Sequence, residues 1–184
     1  MKNNLDTKQQ KAINILNSGG VVVLRTDTLY GIVARADDEM AVQKVYQIKG
    51  RTPSKSCIIL LDSIQQSYGD LQKISDEISK YIDRPTSFLT ESENAPRWLL
   101  RANNMLAYRL PNVEYLKQII KATGPLIAPS ANPEGLAPAT SIQKAKQYFG
   151  DSVDYYLDGG EVPVGTPASR IIKVDNSGKL ETIR

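Results

Sequence analysis

Apolar runs and amphipathic segments alternate along the chain, and this alternation predicts strands and helices in turn. One helix is predicted to begin at Asp6 or Thr7 and to end at Gly19-Gly20, because apolar residues recur between them at helical spacing. A second helix is predicted between Asp38 and Gly50 for the same reason. Each predicted helix thus has a capping side chain before it and a glycine after it.

The remaining segments continue this pattern to the end of the chain. Strands are predicted at 21–24, 57–61, 87–89, 105–110, 126–128 and 155–157. Further helices are predicted at 75–82, at 112–124 with Asn112 as the cap, and at 140–149. A closing hairpin is predicted from strands at 169–174 and 179–184. Because no linker, repeat or low-complexity tract interrupts the chain, we expect one α/β domain with a mixed sheet over residues 1–184.

Composition narrows the class of protein. Of the 184 residues, 41% are hydrophobic and 23% are charged, which is near the average for a soluble globular protein. No apolar run approaches the ~18 residues that a membrane-spanning helix needs. The amino-terminal segment is polar and does not resemble a signal peptide. We therefore expect a cytoplasmic protein without a membrane partner.

Two residue counts exclude whole classes of chemistry. The single cysteine, Cys57, rules out an internal disulfide and a thiolate zinc site. Histidine is absent, which rules out Ser-His-Asp and Cys-His catalysis and histidine metal sites. We predict no protein metal site, so catalysis would have to use lysine, arginine, carboxylate, hydroxyl and backbone groups. The net charge of +3 says little about partners.

Four polar segments are candidates for chemistry: 25–31, 49–55, 124–132 and 165–170. The first follows a buried strand, where α/β sheets bind ligands, although its hydroxyls could equally satisfy a local turn. The second places Lys49, Arg51 and Lys55 within seven residues, which suits phosphate. A helix end with a dipole-complementing cation would explain only Lys49.

The other two segments are less specific. Ser130 and Asn132 lie in a loop of small residues that a nucleotide could approach closely, but an ordinary loop has the same composition. The fourth segment alone is more typical of the start of a strand. Neither a P-loop nor a G-x-G-x-x-G motif is present, so any nucleotide site must use another architecture.

In combination, these segments resemble the YrdC-type threonylcarbamoyl-AMP synthases over about residues 8–184. The motifs keep the family's order and spacing: T-D-T-L-Y-G at 26–31, K-G-R at 49–51 with Lys55, Y-R-L-P at 108–111, P-S-A-N at 129–132, L-D-G-G at 157–160, S-R-I-I-K at 169–173, and Arg184. No single motif is strong, but their ordered combination is specific.

The resemblance implies a single twisted, mixed and open sheet with flanking helices and a concave, positively charged cavity. It also implies that ATP, L-threonine and bicarbonate react to give threonylcarbamoyl-adenylate and pyrophosphate, with Mg²⁺ accompanying ATP. Partner transferases would use the adenylate for the threonylcarbamoyl-adenosine modification of tRNA, and tRNA or another RNA is a candidate direct partner. Larger family members carry an extra C-terminal domain, which we do not expect here.

The resemblance also assigns roles by motif position. The catalytic residues would be Lys49 and Arg51. ATP would contact Arg51, Lys55, Ser130, Asn132 and Arg184. Threonine would contact Thr28, Arg109 and Ser169, and Thr26 and Tyr30 would complete the pocket. Such a reaction asks mainly for positioning and neutralisation of phosphate charge, which histidine is not needed to supply.

Several positions depart from the family pattern. Ser56 and Cys57 stand where proline and leucine are usual, and Ser87 stands where threonine is usual. Arg170 and Lys173 replace the threonine and aspartate of the family's S-T-V-V-D hairpin, which adds positive charge near the proposed site. These departures bear on the identity of the substrate more than on the fold.

Two alternatives therefore remain beside the synthase. One is a non-catalytic RNA-binding or maturation protein of the same superfamily that uses the basic cavity. The other is an adenylating enzyme that takes another amino acid in place of threonine. The affinity for RNA would fall steeply as the salt concentration rises, whereas the affinity for ATP and threonine would depend on it only weakly.

Overall fold

The computed structural model describes residues 5–81, 83–101 and 104–184. Its helices are α1 (Thr7–Asn17), α2 (Glu39–Lys49), α3 (Ser75–Ile78), α4 (Arg97–Leu100), α5 (Glu114–Thr123) and α6 (Ile142–Phe149). Its strands are β1 (Val22–Arg25), β2 (Tyr30–Arg35), β3 (Ile58–Leu60), β4 (Thr86–Glu91), β5 (Met105–Arg109), β6 (Leu126–Ile127), β7 (Tyr155–Leu157), β8 (Arg170–Val174) and β9 (Leu180–Thr182). Short 3-10 turns lie at Ile64–Gln66, Leu71–Ile74, Ser79–Tyr81 and Gly150–Ser152.

The strands form one mixed sheet. Their order across it is β7-β1-β2-β6-β3-β5-β4-β8-β9. Three neighbouring pairs are parallel, namely β1 with β7, β3 with β5, and β4 with β8, and the other described pairs are antiparallel. The predicted α/β architecture, an open mixed sheet with flanking helices, is confirmed.

Local sequence explains where the first two helices begin and end. Asp6 accepts a hydrogen bond of 2.7 Å from the backbone N–H of Gln9, whose side chain accepts in return from Asp6, forming a capping box. Asp38 accepts from the backbone N–H of Ala41 at 3.0 Å. Gly50 ends α2 at a φ of 58°, a conformation that glycine adopts without strain. Gly50 thereby turns the chain out of α2 into the cationic segment 51–55.

Helices cover the two faces of the sheet unequally. In β1, Val22 and Leu24 point to one face and Val23 to the other, as the two-residue period of a strand requires. On the first face α1 and α5 pack over β1, β2 and β6, whereas α2, α4 and α6 pack on the second. The half of the first face that β5, β4 and β8 contribute has no helix over it in the described chain, and a cavity opens there.

Some local expectations differ from the structure. The chain turns back after β1 to form β2, a strand that the sequence analysis does not predict because a polar motif precedes its apolar residues. The segment 75–82 is the short helix α3 followed by a 3-10 turn rather than one helix, and Ile82 lies outside the described residues. The predicted cap at Asn112 is wrong: Val113 precedes α5, and the Asn112 side chain instead accepts from Lys117 Nζ at 3.0 Å. None of the described helices combines the length and apolarity needed to cross a membrane.

Candidate functional site

The uncovered half of the first sheet face forms the floor of a cavity of about 640 Å³. Alternate residues of β5 and β8 make up much of this floor, because side chains on one face of a strand recur every second residue. These are Met105, Ala107, Arg109, Ile171 and Lys173. All four polar segments identified from the sequence contribute to the walls, at 26, 28–31, 51, 128–130 and 168–169.

Positive charge dominates this lining. Arg51, Arg109, Lys173 and Arg184 line the cavity, and no carboxylate is found among the described residues that do so. Cations gathered in a concave, partly enclosed site concentrate the electrostatic field there. The cavity therefore suits a small ligand that carries several negative charges.

The T-D-T motif forms one wall of the cavity. The hydroxyl of Thr26 donates to the carbonyl oxygen of Leu29 at 2.7 Å, and the Oγ1 atoms of Thr26 and Thr28 lie 3.0 Å apart. Arg109 Nη1 reaches the same wall and donates to Thr28 Oγ1 at 3.4 Å. The structure thus brings together Thr26, Thr28 and Arg109, which the sequence placed in or beside the threonine pocket.

Asp27, the central residue of this motif, contacts Arg109 on the side away from the cavity. Arg109 Nη2 lies 3.2 Å from Asp27 Oδ1, and the two side chains are only 4% and 7% exposed. The distance is that of an ion pair, but Asp27 Oδ1 and Arg109 Nε have no hydrogen-bond partner among the described residues. Burial raises the pKa of the Asp27 carboxyl against the opposing effect of Arg109, and burial likewise lowers the pKa of Arg109. The sequence analysis gives Asp27 no role, although a carboxylate between two motif hydroxyls was the available sign.

Ser169 and Arg184 lie together where the last hairpin meets the cavity. Both Arg184 Nη2 and Nε donate to the carbonyl oxygen of Ser169, at 3.2 and 3.3 Å. The buried hydroxyls of Ser169 and Ser87 are 3.1 Å apart, so Ser87 fixes the Ser169 side chain. Ser169, which is predicted to contact threonine, and Arg184, which is predicted to contact ATP, are therefore direct neighbours.

The P-S-A-N loop is held from within the protein. Ser130 lines the cavity, and its hydroxyl donates to Asn132 Oδ1 at 2.6 Å. Asn132 Nδ2 in turn donates to the carbonyl oxygens of Pro133 and Leu136 at 2.9 and 2.8 Å. Of the two predicted nucleotide contacts in this loop, Ser130 lies at the cavity and Asn132 lies behind it.

Lys49 is also placed behind the loop. Its side chain is 3% exposed, and its Nζ donates to the backbone oxygens of Ser130 and Asn132. Burial, with the nearby Arg51 charge, lowers the pKa of Lys49 to about 8. Lys49 is absent from the cavity lining, so in this structure it acts on the site through the loop, and its catalytic role stays a prediction.

Arg51 and Lys55 differ in how they meet the cavity. Arg51 lines it while donating from Nε to the carbonyl oxygen of Lys55 at 3.1 Å and from Nη2 to that of Ser56 at 2.7 Å. Lys55 does not line it, and its Nζ pairs with Glu134. Hydrogen bonds from Lys55 and from Thr52 lower the pKa of Glu134 to about 2. The predicted ATP contact at Lys55 would require this ion pair to open.

Tyr30 joins the cavity wall to the L-D-G-G segment. Its hydroxyl donates to the carbonyl oxygen of Gly160 at 2.8 Å and accepts from the backbone N–H of Gly159 at 3.1 Å. The Asp158 carboxylate lies 3.2 Å away. Tyr30 therefore lines the cavity, and it also holds the L-D-G-G segment in place there.

The two cations that depart from the family pattern lie on opposite faces of β8. Lys173 lines the cavity, as expected. Arg170 does not: it donates to Asp83 at 2.7 Å and to Thr86 at 3.1 Å, and it lies over the Tyr81 ring. The expectation that Arg170 adds charge to the site is corrected, because residues three apart on a strand face opposite ways.

Comparison with known proteins places these motifs in a family context. A model of the Sua5/YciO/YrdC family, described as "Telomere recombination", matches residues 14–184. The chain is 31% identical over 177 residues to a threonylcarbamoyl-AMP synthase of Pseudoalteromonas translucida, an alignment that covers 92% of this chain and 94% of the relative.

Proteins from Pyrococcus abyssi are also similar. A threonylcarbamoyl-AMP synthase of that organism is 31% identical over 166 residues, which cover 87% of this chain and 49% of the relative. The structure superposes on P. abyssi Sua5 complexed with L-threonine with a TM-score of 0.81 at 27% identity, over 90% of this chain and 50% of that one. This chain therefore spans about half the length of these relatives.

Proposed function

Because the chain belongs to the Sua5/YciO/YrdC family, we propose that it is a threonylcarbamoyl-AMP synthase. Its substrates would be magnesium-ATP, L-threonine and bicarbonate, and its products threonylcarbamoyl-adenylate and pyrophosphate. Relatives named threonylcarbamoyl-AMP synthase and a relative solved with L-threonine support this proposal.

The proposed chemistry needs neither histidine nor a covalent intermediate. The threonine amine and carbon dioxide from bicarbonate form a carbamate, which already carries a nucleophilic oxygen. That oxygen bonds to the α-phosphorus of ATP while the bond from this phosphorus to the bridging oxygen breaks and pyrophosphate leaves. Catalysis of such a transfer rests on positioning and on neutralising phosphate charge.

Arginine, lysine and hydroxyl groups of the cavity would share these tasks. Arg51 and Arg184 would neutralise phosphates, and Ser130 would bond the nucleotide. Arg109 would pair with the threonine carboxylate, and Thr28 and Ser169 offer hydroxyls for the rest of the amino acid. Every one of these side chains lines the cavity.

Magnesium would enter as part of the magnesium-ATP substrate. Mg²⁺ is commonly held by one or two carboxylates together with phosphate oxygens and water. The described residues contain no group of three or more His, Cys, Asp or Glu side chains placed to hold a metal ion. Phosphate oxygens and water would therefore supply most of its ligands.

One observation carries the proposal. Four cationic side chains share a cavity with a hydroxyl-rich wall, and no Asp or Glu side chain is found among the described residues that line it. A polyphosphate and a small hydroxy-amino acid would each find complementary groups there, within about 640 Å³. The product would pass to a transferase that modifies tRNA.

The test is pyrophosphate release from purified protein supplied with magnesium-ATP, omitting threonine and bicarbonate in turn. We expect release to require both. Arg109→Met should raise the KM for threonine, and Arg51→Met should raise the KM for ATP. Lys121→Met, which removes an exposed lysine of α5, should change neither KM.

Other outcomes would point elsewhere. Release with another amino acid would keep the site and replace the substrate. Absence of ATP binding in a folded sample, together with RNA binding that weakens steeply with salt, would reject the synthase in favour of an RNA-binding protein.

A further inference from the structure

Arg101 is a half-buried residue whose guanidinium has two nitrogen atoms without a partner in the described protein. Its Nε and Nη2 atoms are buried and have no hydrogen-bond partner among the described residues. None of the described ion pairs includes it. Buried polar groups in folded proteins are nearly always bonded, and a buried charge without a partner is strongly unfavourable.

The backbone at Arg101 is also unusual. The residue directly follows α4 with a φ of 60° and a ψ of −115°, and it is the one non-glycine residue in the described ranges with a positive φ. Arginine gains nothing locally from such a conformation, which is sterically strained for a residue with a Cβ atom. Packing around Arg101 therefore holds a strained residue in place.

The guanidinium stacks on an aromatic ring that it shares with Arg51. Arg101 Cζ lies 3.9 Å from the centroid of Tyr46, and Arg51 Cζ lies 5.9 Å from it. Stacking stabilises a guanidinium through its face but leaves the N–H groups in its plane without acceptors. Two like charges beside one ring repel each other unless an anion lies near both.

This pair borders the cationic end of the cavity. Arg51 and Ser56 line the cavity, and the hydroxyl of Ser56 donates to the carbonyl oxygen of Leu100 at 3.2 Å, which ties the residue before Arg101 to this segment. Arg101 itself is not among the residues that line the cavity, and its link to the lining is the Tyr46 ring that it shares with Arg51. The T-D-T wall of the cavity is contacted by a different arginine, Arg109.

We propose that Arg101 is a second phosphate-binding arginine, which together with Arg51 forms a subsite for the outer phosphates of ATP and for the pyrophosphate that leaves. A planar guanidinium with free in-plane donors matches phosphate oxygens, and a polyphosphate is long enough to contact two arginines at once. This inference rests on the proposed function only for the identity of the polyphosphate.

The test compares binding of pyrophosphate and of AMP to wild-type, Arg101→Met and Arg97→Met proteins by calorimetry at fixed ionic strength. Arg97 is the matched control, because it is an exposed arginine on the adjoining helix. We expect Arg101→Met to weaken pyrophosphate binding at least tenfold and AMP binding less than twofold, and Arg97→Met to change neither. Arg101→Lys, which keeps the charge but loses the planar donors, should fall between.

Equal pyrophosphate affinity in the wild type and in Arg101→Met, or in Arg101→Lys should the first variant fail to fold, would overturn the subsite. Failure of the wild type to bind pyrophosphate would overturn it as well. The two proposals fail separately: Arg101-dependent pyrophosphate binding without turnover would reject the synthase alone, and full turnover with Arg101-independent binding would reject the subsite alone.

Discussion

Replacing Lys49 tests whether this lysine anchors the P-S-A-N loop. In Lys49→Met the backbone oxygens of Ser130 and Asn132 lose the Nζ donor that both now share. A buried acceptor left without its partner costs roughly 1–3 kcal/mol, so the two together cost about 4 kcal/mol. Methionine fills a similar volume, so cavity formation adds little.

The buried charge of Lys49 offsets part of this loss at neutral pH. Its pKa is lowered from 10.5 to about 8, which corresponds to about 3 kcal/mol of penalty on the charged form. Removing the charge relieves this penalty, so Lys49→Met should lower the free energy of unfolding by only about 1 kcal/mol at pH 7.

The difference between the two proteins should grow with pH. Between pH 8 and pH 10.5 the unfolded wild type binds more protons at Lys49 than the folded protein does, so wild-type stability rises there relative to the variant. The neutral amine still has two N–H donors for the two oxygens. The gap should therefore widen from about 1 kcal/mol at pH 7 to about 4 kcal/mol above pH 10.5.

Urea unfolding of both proteins at pH 7, 9 and 10.5 measures this gap. Lys44→Met is the matched control, because it removes a lysine of the same helix that is 40% exposed and paired with Asp154. Its effect should stay below about 1 kcal/mol throughout. A Lys49→Met gap that is constant or narrows with pH would refute the argument.

Three further changes have defined outcomes. A Cβ at Gly69 would lie 2.5 Å from Thr90 Cγ2 and 2.7 Å from the carbonyl oxygen of Glu91, so Gly69→Ala should lower the free energy of unfolding by about 2 kcal/mol in urea titrations; an unchanged midpoint would contradict this. Arg109→Lys keeps the charge but loses the planar donors, so steady-state kinetics should show the threonine KM raised about tenfold with the ATP KM unchanged. Arg184→Met should raise the ATP KM about tenfold and, because Arg184 is exposed, leave the unfolding midpoint in place; the reverse pattern would reject its role.

The sequence predicts the elements whose local chemistry agrees with their packing. Helix α2 has Asp38 before it and Gly50 after it, and both act as expected. Strand β2 escapes prediction because its first residues belong to a motif with polar and aromatic side chains, and pairing with β1 outweighs that local composition. The Asn112 cap fails because α5 begins one residue later than predicted, after Val113, and the Asn112 side chain accepts from Lys117 within that helix.

Motif order places the site, but it does not show which atoms face the cavity. The residues that line it include Arg51, Ser130, Arg109, Ser169 and Arg184, and their substrate contacts stay predictions. Lys49, Lys55 and Asn132 belong to the same motifs, yet their polar atoms are committed to Ser130, Glu134 and neighbouring carbonyl oxygens. Those partners lie some eighty residues away from the two lysines, a separation that local pattern does not report.

Arg101 is a residue that the sequence analysis does not identify as a candidate. The segment around it, R-W-L-L-R, predicts no function. The proposed role of the Arg101 guanidinium rests on its contact with the Tyr46 ring and on the lack of an acceptor, and both are visible only in the structure. The role of Asp27 is likewise invisible in the sequence, because its buried contact with Arg109 forms only when the chain folds.

The most direct test of the account is mass-spectrometric analysis of the products formed from magnesium-ATP, L-threonine and isotopically labelled bicarbonate. The account predicts a labelled threonylcarbamoyl-adenylate together with an equal amount of pyrophosphate, and loss of both in Arg51→Met. ATP consumption that leaves no label on the adenylate, or no adenylate at all from protein shown to be folded, would contradict it.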